Sequence, residues 1–467
     1  MTFLKLKSGL FIFLVIFSSF FMIAVTLFNP LNDQEKTPPL GNSGDLRASA
    51  HVWTANTLIS TATTDDAQYP AIAVGGEGNV HIVWQDNSEY YDSDTAFDIL
   101  YKRWDAILGT FTTWTVISTI STTSATRPDI AVDGEGNAHV IWMDYTNVLG
   151  AGSNADVFYR MWNKSTNSWQ GYTGTYDLVT YGLSANCQYP KIAVDAMNNI
   201  HVVWMDYNNN ASYGDTDTYV DVYYKCWNAT TKVWDATPQL VSTESTSTAQ
   251  YPDIAVDTQG NVHVTWEDYT NYGGSGTYPD VFYKCRNATT GLWSGYITAT
   301  DVVSVQSTSY AYRPSIAVDG HDNVHIAWYD QTNIYGAGSD YDIFYRMWNS
   351  TTHVWSGHVN TTDVVTWTPY YSYYPAIGAD EFGNVNIVWQ QLDNYGDEAI
   401  HYRMWNISTG SWETSEALCS TSWREISYPA IAVHPAGDSH VVWHYDNYDY
   451  EVHYRKSTVS PPMPPHL

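Results

Sequence analysis

A proline recurs along this chain at Pro70, Pro128, Pro190, Pro252, Pro314, Pro375 and Pro429, in steps of 58, 62, 62, 62, 61 and 54 residues. Each opens a run of one kind, as in YPAIAV, RPDIAVD, YPKIAVD, RPSIAVD and YPAIGAD. A second run follows and ends in tryptophan: NVHIVW, NAHVIW, IHVVW, NVHVTW, NVHIAW, NVNIVW and SHVVW. After a variable loop comes a third, such as DILYKRW, DVFYRMW or DVYYKCW, and then a fourth that carries a tryptophan. Self-similarity at a fixed spacing constrains the fold more than any other feature, because each unit has to be one supersecondary element that stacks on its neighbours.

The runs are short and rich in Val, Ile, Tyr, Phe and Trp, as strands prefer. Between the first and second lie turns such as DGEGN and DTQGN. There Asp bonds its own backbone and Gly takes positive φ. No helical periodicity is present after the first 50 residues. Four-stranded units in tandem predict an all-β fold, a seven-bladed β-propeller. The ends agree with a ring. An orphan fourth run, HVWTANTLIS (51–60), precedes Pro70, and only three runs follow Pro429, ending in EVHYRK (451–456). The first segment is expected to complete the last blade and remove exposed sheet edges.

The predicted organisation is therefore 1–28 a signal peptide or signal anchor, 29–50 a polar linker, 51–459 the propeller and 460–467 a Pro-rich tail. Lys5 and Lys7 followed by an apolar stretch from Leu10 to Phe28 make the first segment an export signal. Membrane contact is expected through that segment alone. The protein is expected outside the cell, secreted or anchored to the outer side of the membrane. Forty-nine acidic and 20 basic residues give a net charge of −29, which argues against nucleic acid as a partner. Seven Asn-x-Ser/Thr sequons fit the exterior. Five of them, Asn163, Asn228, Asn287, Asn349 and Asn406, share the turn between third and fourth strands and are candidate glycosylation sites; Asn210 and Asn360 are the others. Of four cysteines, Cys226 and Cys285 are read as core-filling. Nothing favours a Cys187–Cys419 bridge.

Up-and-down strands place the short turns on one face and the long second-to-third loops on the other, where function is expected. Aspartates frame these loops, as Asp86 with Asp98 or Asp144 with Asp156. They read mainly as loop caps that meet the basic residue of the third strand, one of Lys102, Arg160, Lys225, Lys284, Arg346, Arg403 and Arg455. In the third unit Asp215 and Asp217 join Asp206 and Asp221, and this set is the candidate metal site, suited to Ca²⁺. No cofactor is required by any motif, and Ca²⁺ is the one the loops admit. The residue before each anchoring proline is Tyr69, Arg127, Tyr189, Tyr251, Arg313, Tyr374 or Tyr428. Inner strands line a propeller's channel, so these seven should ring its mouth as a ligand-binding set. Aromatic faces stack on sugars, and Arg takes a carboxylate through two bonds. His81, His139, His201, His263, His325 and His440 stand mid-strand, one to a unit, and read as packing residues.

The P-x-IAVD-x-x-GNVHVVW-x-D unit resembles the repeats of sialidase-like secreted propellers over nearly all of 51–459. For a catalytic member the resemblance implies an arginine triad, a Tyr/Glu nucleophile pair and an Asp acid. TRPDIAV at Arg127 and YRPSIAV at Arg313 are similar to that family's Arg-x-Pro element, without the intervening residue. The Asp-box Ser-x-Asp-x-Gly-x-Thr-Trp does not occur, and no third arginine or Tyr/Glu pair stands out. The function expected is non-catalytic binding of a glycan or surface protein through the long-loop face. The alternatives are a propeller-fold glycoside hydrolase or polysaccharide lyase, and a structural cell-envelope component.

Overall fold

A computed structural model describes residues 51–459, apart from 62–64, 89–95, 148–153, 172–176, 181–185, 208–217, 274, 393–394 and 423. The leader, the linker, the tail, Asp215, Asp217 and Asn210 lie outside the described residues. Within them the chain is all-β and forms seven antiparallel sheets, the blades of a seven-bladed β-propeller. In blade 2 the inner strand Ala125–Val132 pairs with Ala138–Asp144, and this with Asp156–Asn163. The fourth strand is broken into two short pieces, Ser168–Gln170 and Asp177–Leu178, which pair with the same third strand. Every blade repeats this order.

The last blade holds Ile426–Val433, Ser439–Asp446 and Tyr450–Val459. Its outer pieces come from the other end of the chain: His51–Trp53 pairs from His51 with Val459 to Trp53 with Ser457, and Thr57–Leu58 pairs with Tyr454 and His453. The core explains why such a ring holds. There are seven hydrophobic clusters, each built from two adjacent blades, and one joins Val442, Val452 and Tyr454 of blade 7 to Trp84 and Leu100 of blade 1, with Ile59 between. Each second strand buries its tryptophan almost completely: Trp84, Trp142, Trp204, Trp266, Trp328, Trp389 and Trp443. A large aromatic at one register position of every blade fills the wedge between neighbouring sheets, and blades can cover one another only in turn.

The short-turn face is tied by repeated polar contacts. Asp133 Oδ1 accepts the amides of Glu135 and Asn137, and its Oδ2 accepts Asn137 Nδ2 at 2.8 Å. Asn137 Oδ1 in turn accepts the amide of Lys164, so the first hairpin tip is bonded to the second. His139 bridges Asp133, at 3.1 Å, and the hydroxyl of Tyr159, at 2.8 Å, inside the blade. The same Asp–His–Tyr chain recurs in blades 3 to 5, and in blade 6 Asn386 stands for the histidine and accepts from Tyr402. The histidines are thus internal struts. The sequon asparagines also serve locally: Asn228, Asn287 and Asn349 each accept the two amides that follow in their turns. All four cysteines are free thiols.

One expected contact is corrected. The third-strand cations do not meet the loop-framing aspartates. They reach the other way and donate to a backbone carbonyl on the preceding blade: Lys102 to Ile59, Arg160 to Ile117, Lys225 to Val179, Lys284 to Val241 and Arg346 to Val303, at 2.8 to 2.9 Å, with Arg403 to Val365 and Arg455 to Leu418 alike. The broken fourth strand leaves a carbonyl unpaired there, and a long cationic side chain satisfies it across the blade boundary. The aspartates are occupied otherwise. In blade 5 Asp330 accepts the indole N–H of Trp328 and the amide of Thr332, while Asp342 accepts the hydroxyl of Thr366 at 2.6 Å.

Candidate functional site

The register of the inner strands builds the site. Ala67 pairs with Asp86, where the long loop begins, so each inner strand starts at the long-loop face. Two residues on, every one of the seven ladders slips, for example between Gln68 and Ala71 or between Tyr312 and Ser315. The slip falls on the residue before the proline. That residue is left-handed in all seven blades: φ is 49° at Tyr69, 53° at Arg127, 49° at Tyr189, 51° at Tyr251, 49° at Arg313, 49° at Tyr374 and 50° at Tyr428. Non-glycine residues pay about 1–3 kcal/mol for this region and hold it only where the surroundings dictate it. A bulge of this kind re-aims a side chain. Here it turns seven side chains toward the axis.

They meet as a closed ring. Arg127 lies over Tyr69 at 3.5 Å from guanidinium carbon to ring centre and over Tyr189 at 4.7 Å. Tyr189 packs on Tyr251 at 4.8 Å. Arg313 covers Tyr251 at 3.3 Å and approaches Tyr374 at 5.8 Å. Tyr374 packs on Tyr428 at 4.5 Å, and Tyr428 on Tyr69 at 4.6 Å. Among the described residues neither arginine takes part in a salt bridge. Their guanidinium faces are held by aromatic rings, which leaves the N–H edges to an incoming acceptor.

The bulge also takes backbone N–H groups out of the ladder. Three are satisfied by a side chain from the second strand of the preceding blade: Arg127 by Gln85 Oε1 at 3.0 Å, Arg313 by Glu267 Oε2 at 2.8 Å, and Tyr69 by His444 Nδ1 at 3.4 Å. Glu267 is 1% exposed and accepts a second bond from Gln250 at 2.8 Å. Burial pushes its carboxyl up to about 7, against the pull of the Arg313 amide and Gln250.

Behind the ring opens a cavity of about 340 Å³ on the axis, walled by the prolines and the residues after them. Most of its walls are Ala and Ile, but three charges stand there: Asp129, Lys191 and Asp253. Lys191 Nζ is 3.8 Å from Asp129 Oδ1. Burial would lower Lys191, yet Asp129 and Asp253 outweigh it and hold the amine protonated; burial raises Asp129 in spite of that amine. Asp253 accepts the hydroxyl of Ser315 at 2.9 Å and the amide of Ile316 at 3.0 Å. With Arg127 and Arg313 the channel collects three cations against two carboxylates, in a chain of net charge −29. These three were not singled out by sequence reasoning. Their signal was a charge in the x position of P-x-I, inside an otherwise apolar strand.

A belt of tyrosines, also not anticipated residue by residue, runs outward from the ring across blades 4 to 6. Tyr278 packs on Tyr310 at 4.7 Å, Tyr310 on Tyr312 at 5.6 Å, Tyr329 on Tyr341 at 5.2 Å and Tyr341 on Tyr373 at 5.4 Å. Tyr329 joins it to Tyr374 of the ring at 6.0 Å. Tyr278, Tyr310 and Tyr371 are exposed. Of the candidate metal set, Asp206 accepts the thiol of Cys187 at 3.6 Å and Asp221 the hydroxyl of Ser242 at 2.5 Å, while Asp215 and Asp217 are outside the described residues. Among the described residues no three His, Cys, Asp or Glu side chains cluster as metal ligands.

No protein-family model matches the chain, and no curated protein matches it. Solved structures do. A fungal alcohol oxidase in complex with copper is similar with a TM-score of 0.50 at 10% identity, over 89% of this chain and 77% of that one. The polysaccharide lyase Uly1 gives 0.49 at 10% identity over 85% and 90%, and the intramolecular trans-sialidase of Ruminococcus gnavus 0.41 at 12% over 87% and 99%. At such identities the likeness is one of fold.

Proposed function

We propose that this propeller is a non-catalytic, extracellular glycan-binding protein whose channel mouth takes a carboxylate-bearing sugar residue. The observation that carries this reading is the Tyr–Arg ring. Two guanidinium groups are immobilised on aromatic faces, outside any salt bridge among the described residues, at the entrance of a channel with excess positive charge. An arginine held this way loses little freedom on engaging a carboxylate, and neighbouring phenol rings offer faces for the apolar side of a pyranose. The exposed tyrosine belt supplies a platform for further sugars of a chain. The export segment and the sequons in the short-turn tips support the exterior location, with the glycosylated face opposite the binding face.

Titration of the full-length protein with a galacturonate tetramer, against a neutral tetrasaccharide of equal length, tests the reading. The acidic sugar should bind and the neutral one should not. Arg127→Ala and Arg313→Ala should each lower affinity about tenfold to a hundredfold, the worth of a charge-assisted hydrogen bond. Equal binding of both sugars, or none, contradicts it. A glycoside hydrolase or lyase is the second reading. The hydrolase is favoured by Asp129 and Asp253 behind the mouth, since glycoside hydrolysis uses a carboxylate pair across a sugar. Release of shortened sugars, lost in Asp129→Asn, would establish it.

A further inference from the structure

The two arginines of the ring are held in the same way and differ in the side chain that takes their backbone N–H. Each sits on a left-handed bulge, stacks on the tyrosine of the preceding blade or its neighbour, and gives its backbone N–H to a second-strand side chain one blade back. For Arg127 that acceptor is Gln85, an amide. For Arg313 it is Glu267, an acid of nearly the same shape. The equivalent positions of the other blades are Met143, Met205, Tyr329, Gln390 and His444, so Glu267 is the one carboxyl among the seven. A carboxyl in this place has a chemical consequence: it brings a charge that a proton on Oε1 can remove, with the Gln250 amide turning to accept that proton while Oε2 keeps the Arg313 amide.

We propose that Glu267 is a proton-operated positioning residue that sets how strongly the Arg313 half of the mouth holds a carboxylate, while Gln85 leaves the Arg127 half indifferent to pH. This rests on the acidic-sugar reading above. Ionised Glu267 neutralises part of the Arg313 charge and repels an incoming carboxylate. Protonated, it still serves the Arg313 amide through its carbonyl oxygen. Binding an acidic sugar and binding a proton at Glu267 then favour each other.

The surroundings isolate the effect. Glu267 faces Arg313 and Tyr312 from the inner strand of blade 5, Tyr329 from its second strand, Tyr251 beside Gln250 from the inner strand of blade 4, and Tyr269 after its own strand. Burial raises all four phenols, so they stay neutral through the physiological range. On the Arg127 side, burial holds His444 below the usual imidazole range although Glu425 pulls the other way.

Three full-length proteins test this: wild type, E267Q, and Q85E, which moves the acid to the other arginine. Without sugar, the melting temperature of E267Q should gain on that of the wild type as pH rises through about 7; a constant difference from pH 5 to 8.5 overturns the inference. With the galacturonate tetramer, whose own carboxylates stay ionised, wild-type affinity should fall about tenfold between pH 6 and pH 8, as one unit of coupled pKa shift demands. E267Q should bind with one affinity across that range, and Q85E should fall more steeply than wild type. Binding with equal slopes in wild type and E267Q sinks the inference alone. Absence of binding by every protein at every pH sinks the acidic-sugar reading and takes this one with it.

Discussion

In blades 2 to 5 the short-turn end and the long-loop end bury the same kind of residue, a carboxylic acid, and several of these acids are shifted to opposite effect. At the turn end burial opposes the ionisation of Asp133, Asp195, Asp257 and Asp319, but bonds from a histidine and an asparagine outweigh it and hold the carboxyls low, Asp319 at about 2. At the loop end burial wins. It pushes Asp156 to about 6 and Asp280, Asp342 and Glu267 to about 7, although each accepts hydrogen bonds. The lesson is that acids at the turn end stabilise the ring, whereas acids at the loop end carry a cost in folding free energy and remain near neutrality, where protonation can be used.

Removing an acid from each end should break the symmetry most plainly. Asp257→Ala strands the amides of Gln259 and Asn261 and leaves His263 without its partner, at a cost of about 3 kcal/mol or more. Asp280→Asn keeps the bond to Ser304 and should cost under about 1 kcal/mol at acid pH and raise the melting point above pH 7. Equal losses by differential scanning calorimetry would refute the contrast.

The pH profile sharpens it. The lowered turn-end acids contribute stability above their unfolded pKa near 4, lost as pH falls toward 2. The raised loop-end acids contribute stability that is complete below about 4 and is lost as pH climbs to about 7. The melting temperature should therefore peak near pH 4–5 and decline toward pH 8. A maximum at neutrality would contradict the assignment.

Smaller effects separate recognition from stability. Tyr189 touches both arginines, at 4.7 and 5.6 Å. Tyr189→Ala should lower affinity for the galacturonate tetramer about tenfold, with the loss in melting temperature smaller than that of Asp257→Ala. Smallest of all, Asn287→Gln at a turn tip loses an Asx turn worth about 0.5–1 kcal/mol and should leave sugar binding untouched. Titration calorimetry and melting curves on the same samples read both.

The blades were legible because a repeat displays its own strand boundaries, and the ring because orphan runs at the two ends complement each other. The Tyr/Arg residues were legible as a ring through their place before proline. Their left-handed backbone was not, since pattern reports strand but not a one-residue slip in register. The partners of the third-strand cations were misread because the fourth strand was taken as continuous; its break creates the carbonyls those cations serve. Asp129, Lys191 and Asp253 stood in plain view, but one variable position in a strand says nothing until topology brings seven of them around one axis. Glu267 was hidden differently: WQD and WED precede the two RP blades, a pairing that means something only once blade order becomes contact.

A crystal structure of the full-length protein with the galacturonate tetramer tests the central claim most directly. The account predicts a sugar carboxylate on the N–H edges of Arg127 or Arg313, with pyranose rings on the tyrosines of the mouth. Sugar bound at the short-turn face, or a ring of Tyr and Arg side chains left unengaged at saturating concentration, would contradict it.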